Sequence, residues 1–202
     1  TRMLYRIAQQ IADARGGDAV LQAAVEGLSD RTVPDWVIAG LLEPREAPTS
    51  LRIVASWSRD GLLFPRDTLS LDNMRQLYEI LCSDERFITS NITQDPLADA
   101  FIQHAFSELG VRATAAFQLS VRARQYGTIM VHSQNAREFS AAVLSFYENV
   151  ARQAFVALEN INLVEATREQ AERRDILNEV LQIASSSLDQ ARILEDVSRV
   201  IA

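Results

Sequence analysis

The last third of the chain constrains the fold most. After Gly127 there is no glycine or proline as far as residue 202, and from about residue 139 the apolar residues fall on a helical period. Val143, Phe146, Val150, Ala154, Ala157, Ile161 and Val164 recur every three to four positions, which places them on one side of a helix. Ser140 stands where its hydroxyl can accept from a free N–H of the first turn. A helix from there to about residue 185 is roughly 70 Å long at ~1.5 Å per residue. A domain of this size is narrower than that, so part of the helix is expected to run beyond it and to bury its stripe against a partner.

Upstream, Leu4, Ile7, Ile11 and Ala14, then Val20, Leu21, Ala24, Val25 and Leu28, give two helices on either side of a break at Gly16 and Gly17. Two strands are expected at 33–42 and 51–57, separated by a segment containing Pro44 and Pro48. The middle, 62–110, is irregular, with helices expected at 72–82 and 96–109 and few strand signals. Residues 111–121 alternate and are followed by a second run at 127–132, which gives a hairpin.

The 48% of hydrophobic residues supply one core, and a net charge of −7 without a basic cluster argues against a nucleic-acid partner. One cysteine cannot form an internal disulfide, which fits a reducing, cytoplasmic setting. No run approaches the roughly 20 apolar residues that span a bilayer, so no membrane contact is expected of this segment. A shift of 172 positions aligns Ile11 with Ile183, Ala19 with Ala191, Leu21 with Ile193 and Val25 with Val197. The end of the chain therefore reads as the opening of a second, truncated repeat. The expected division is a domain at 1–164, a linker helix at 165–185 and the start of that repeat at 186–202, in a chain that reads as a piece of a longer protein.

With strands, an irregular middle, a hairpin and a helix at each end, the chain resembles a GAF domain, the small-molecule sensor module of bacterial signalling proteins. The resemblance rests on Leu109, Gly110, Val111 and Arg112, on the hairpin from Tyr126 through Ser133, on Phe139 and Ser140, and on Ala151, Arg152, Gln153 and the Ala157 to Asn160 run. It implies an α+β, profilin-like fold: a central antiparallel sheet of five to six strands, both terminal helices on one face, and the middle segment folded over the other to enclose a pocket. It also implies a homodimer through the terminal helices, paired as a coiled coil. A signal would pass along the long helix to an output domain in the same chain, a histidine kinase of a two-component system or a nucleotide cyclase. The expected function is non-catalytic: a regulatory input domain that binds an unidentified small molecule. The alternative is a ligand-free dimerisation spacer in a tandem array.

On this reading Val37, Ala39 and Leu41 share the helix-facing core with Ala115, Phe117, Leu119, Ile129 and Val131. The opposite floor would carry Ile38, Gly40, Ile53, Ala55, Trp57, Thr114, Ala116, Gln118, Met130 and His132, an apolar surface with a few polar groups of the kind that holds a small molecule. His132 is the group able to change charge near neutral pH or to donate to a ligand. Phe64, Phe87, Phe101 and Phe106 of the middle segment are the side chains that would fill the floor instead. The dimer stripe is expected through Val150, Ala157, Ile161 and Val164. No catalytic or metal site is expected: two histidines and one cysteine have no ligand spacing, and Cys82 reads as a buried thiol. Bilin-binding members of the family attach the chromophore through a cysteine that in many of them sits just before a histidine, whereas here Gln103 precedes His104 and Cys82 lies elsewhere. Covalent bilin is therefore disfavoured, as is a cyclic nucleotide, because the signature of those members is missing. Haem on His104 is set aside as well.

Overall fold

The computed structural model describes residues 2–29, 34–44, 47–61, 67–71, 75–81, 86–121 and 124–201. Helices α1 (Arg2–Asp13) and α2 (Gly17–Ser29) precede strands β1 (Trp36–Glu43) and β2 (Ser50–Ser58). The middle holds β3 (Thr68–Ser70), α3 (Arg75–Leu81), β4 (Phe87–Thr89) and α4 (Ala100–Glu108). The hairpin β5 (Ala113–Val121) and β6 (Arg124–Ser133) leads into α5 (Ala141–Ile201). The six strands form one antiparallel sheet in the order β3-β2-β1-β6-β5-β4, the α+β architecture expected from the sequence. Residues 30–33, 62–66, 72–74, 82–85 and 122–123 lie outside the described residues, and with them Val33, Phe64, Cys82 and the first turn of the helix expected at 72–82.

One face of the sheet is covered by α2 and the first part of α5, and α1 packs on α2. In α2 the buried residues Val20, Leu21, Ala24, Val25 and Leu28 form a single apolar side. Gly16, at φ 94°, makes the sharp turn from α1. Ile7 of α1 lies over Gly27, where an added Cβ would come within 2.7 Å of its Cγ2. Across the sheet Val37, Val131 and Ala115 stand in one row, and Ala39, Ile129 and Phe117 in the next. Directly paired residues share a face, so this is the helix-facing core the alternation predicts. Tyr147 of α5 meets Phe117 edge-on at 6.2 Å, and Phe155 meets Tyr126 at 5.4 Å.

The register of β2 differs from expectation. Gly40 pairs with Ile53 but Ala39 pairs with Ala55, which leaves Val54 as an extra residue. A bulge of this kind reverses the faces of everything beyond it. Ala55 and Trp57 consequently lie on the Ala39 and Val37 side, not on the floor opposite. The three-residue strands β3 and β4, absent from the sequence reading, sit at the two edges, too short for alternation to show.

Ser140 caps α5 as its position suggests, its Oγ accepting from Val143 N–H at 3.4 Å. The helix then runs without interruption to Ile201, past the expected end near residue 185. In the 172-residue alignment Leu188 stands where Gly16 makes its turn, so the backbone has no residue suited to φ > 0 and the helix continues. The chain divides into two compact units, Thr1–Glu159 and Asn160–Ala202. Among the described residues no helix is long and apolar enough to cross a membrane.

Gly127 marks the tightest approach in the sheet: a Cβ there would lie 2.0 Å from the carbonyl oxygen of Gly40. Gly127→Ala is expected to cost ~3 kcal/mol or more, because backbone must move. Gly17→Ala meets only a methyl of Leu158 at 3.2 Å and should stay within ~1 kcal/mol of wild type. Urea denaturation of the two variants makes the comparison.

Candidate functional site

The face of the sheet opposite α2 is organised in rows set by strand pairing. Thr89, Thr114, His132, Trp36 and Ser58 stand side by side on β4, β5, β6, β1 and β2. All five are buried. The next row is Phe87, Ala116, Met130, Ile38 and Ser56, and the third holds Gln118, Thr128, Gly40 and Ile53. The structure thus brings together Ile38, Gly40, Ile53, Thr114, Ala116, Gln118, Met130 and His132 of the expected floor. Trp57 is removed from it by the bulge at Val54. Trp36, Ser58 and Thr89 join it; their membership follows from register between distant strands and leaves no local signal in the sequence.

This floor is covered by packed side chains. Ile38, Ala116 and Met130 belong to a buried cluster with Leu42, Leu51, Leu71, Leu81, Phe87, Ile92, Ala98 and Ile102, and Ile53 and Phe106 pack against it. Of the aromatic residues considered for filling the space, Phe87 and Phe106 do so, whereas Phe101 is 49% exposed. Gln118 Nε2 donates to Ile80 O at 2.9 Å, tying β5 to α3. Thr128 Oγ1 donates to Phe117 O at 3.2 Å, so its polar atom is satisfied within the hairpin.

His132 carries the chemistry of the polar row. Its Nδ1 hydrogen-bonds Thr114 Oγ1, which also lies 3.3 Å from Val131 O. Phe106 of α4 stands edge-on to the imidazole, 5.6 Å between centroids at 73°. Burial lowers the imidazole pKa from 6.5 to about 4, since the charged form loses its hydration. The strand ends beside it are pinned by Asp35, whose Oδ2 accepts from Ser133 Oγ at 3.0 Å and Gln134 N–H at 2.9 Å and whose Oδ1 lies 3.4 Å from Arg59 Nε. His104, by contrast, is exposed on α4 and lies 3.4 Å from Glu108. Among the described residues no three His, Cys, Asp or Glu side chains cluster as metal ligands do.

The expected dimer stripe divides in two. Val150 is buried within its own domain alongside Phe146, Tyr147, Ala151, Ala154, Phe155 and Leu158, so it is not available to a partner. Ala157 and Ile161 are half-buried and Val164 is exposed. Among the described side chains of α5 the exposed large apolar residues are instead Val156, Leu163, Val164, Ile176, Leu177, Val180 and Leu181. The sequence period merges a core-facing stripe with a solvent-facing one because a single helix carries both.

The depressed pKa of His132 has a defined consequence for stability. The native state holds the imidazole neutral down to about pH 4, whereas the unfolded chain takes up a proton near pH 6.5. Stability is therefore complete above pH 6.5 and falls by up to ~1.4 kcal/mol per unit as pH drops towards 4. His132→Gln keeps a hydrogen-bonding group beside Thr114 but cannot protonate. Urea titrations from pH 7.5 to 4 should show a shallower pH dependence in the variant than in wild type.

Comparison with known proteins places the fold. No curated protein matches the sequence significantly. A phycoerythrobilin-bound GAF domain from a cyanobacterial phytochrome superimposes with a TM-score of 0.68 at 16% identity, covering 81% of this chain and 96% of that one. The chromophore-binding domain of bacteriophytochrome RpBphP3 from R. palustris gives 0.67 at 14% identity, covering 81% of this chain; the match spans only 61% of that domain. A far-red absorbing dark-state protein with bound biliverdin gives 0.63 at 13% identity, with 79% of this chain and 99% of that one covered. These similarities correct the cofactor expectation. The sequence disfavours covalent bilin on one attachment residue, yet the similar folds include phycoerythrobilin- and biliverdin-bound proteins. Residues 17–160 match the GAF domain family, and with the sheet order and the flanking helices this shows that the chain belongs to it.

Proposed function

We propose that this GAF domain is a regulatory input module, which takes up a small molecule on the α3 and α4 face of its sheet and passes the change along α5 to an output domain. The observation that carries the reading is α5 itself. Its first turns build the core through Tyr147, Val150, Ala154 and Phe155, and the same unbroken helix continues with Leu163, Val164, Ile176, Leu177, Val180 and Leu181 exposed. A repacking of the sheet is thereby coupled covalently to an apolar helical surface. Such coupling transmits a ligand's effect only to the extent that the ligand prefers one packing over the other. We take the exposed apolar residues as the surface of a homodimer, since an isolated helix in water gains little from propensity alone.

The filled cluster on the opposite face favours a second reading, a spacer that dimerises and binds nothing. Native mass spectrometry of freshly purified protein separates the two. The input reading expects a dimer retaining a reproducible extra mass, with linear tetrapyrroles among the first identities to check. Ala116→Trp should remove that mass and leave a folded dimer. A dimer without added mass, in a protein whose Ala116→Trp variant merely loses stability through overpacking, would support the spacer. The double variant Leu177→Lys, Val180→Lys should be monomeric at micromolar concentration with an unchanged far-UV spectrum; a persistent dimer would place the interface elsewhere.

A further inference from the structure

We propose that Phe106 is the side chain that closes the His132 end of the site, and that the ligand carries a flat, uncharged ring which takes the place of the Phe106 ring against His132 and Thr114. This rests on the reading of the α3 and α4 face as the binding face. Among the described residues the polar row consists of Thr89, Thr114, His132, Trp36 and Ser58, all buried and none formally charged in the native state. The neighbouring carboxylate, Asp35, is committed to Ser133, Gln134 and Arg59. No side chain of the row itself is charged, so a charged group pressed into it would lose its hydration without a counter-ion within the row, which favours a neutral group on the part of a ligand that reaches it.

The covering residues differ in how firmly they are held. Leu81, Ile92 and Ile102 are fully buried, whereas Phe106 is only half-buried at the margin of the cluster. It sits on a nine-residue helix most of whose other side chains, Ala100, Phe101, His104, Ser107 and Glu108 among them, are exposed. That helix is stopped at its start by the Asp99 cap to Ile102 N–H at 2.8 Å. Just beyond its end Gly110 takes φ 70°. Phe106 is the half-buried ring that stands directly against His132, so rotating or lifting it uncovers the imidazole, and what fits in place of an edge-on phenyl ring is another flat ring.

The test follows indole, a neutral ring-sized probe, by NMR of protein labelled at the Phe and His rings. Wild type should show the His132 and Phe106 ring signals moving together, and Phe106→Ala should bind indole at least tenfold more tightly. Phe106→Leu provides an intermediate case if the alanine variant folds poorly. Phe101→Ala, at an exposed position on the same helix, should bind as wild type does. If His132 shifts while the Phe106 ring does not, and Phe106→Ala and Phe106→Leu gain no affinity, Phe106 is not the closure although the site stands. If His132 shifts in none of the proteins, both the closure and the binding face are refuted.

Discussion

The lodging of β6 between β1 and β5 is the constraint on which the rest of the molecule depends. Its pairing fixes Val131 and Ile129 towards α2 and α5 while Met130 and His132 point the other way. The contact is close enough that Gly127 has no room for a Cβ beside Gly40. A slip by one residue would send the buried histidine into the helix-facing core and put Val131 or Ser133 in its place in the polar row. The long helix is the next element after this strand, and its Tyr147 and Phe155 meet Phe117 of β5 and Tyr126 of β6.

Two faces of one sheet have thereby taken different tasks. The helix side is apolar throughout its centre, and the small residues Ala39 of β1 and Ala55 of β2 let α2 pack near the backbone. The other side is graded from an apolar cluster around Ile38, Phe87 and Met130 to a polar row at Thr114 and His132. Within that row the Thr114 hydroxyl and the His132 imidazole satisfy one another, and desolvation keeps the imidazole neutral. In the proposed input role such a face would discriminate by shape and by a small number of hydrogen bonds, with little contribution from charge.

In α5 the sequence presents one amphipathic pattern where the fold makes two uses of it. Phe146, Val150 and Ala154 are core residues of the domain; Leu163 and Leu177 are exposed. One helix thus carries both sets of residues. Because α5 has no glycine or proline, this connection lacks the breaks at which a helix most readily bends.

Much of this was legible in the sequence. The alternation from Ala113 to Val121, the hairpin after it, the Ser140 cap and the apolar side of α2 each follow from local periods and hydrogen-bonding chemistry that a few neighbouring residues determine. They were enough to establish the family resemblance, the fold class and eight of the floor residues, from Ile38 to His132. Tertiary structure alone decided the rest, because those features depend on pairing between residues far apart in the chain. The bulge at Val54 moves Trp57 to the other face, register brings Thr89, Trp36 and Ser58 beside His132, and burial against the sheet withdraws Val150 from any partner. The edge strands β3 and β4 belong to the same class, since three residues carry no period of their own and become strands only where a neighbour supplies the hydrogen bonds.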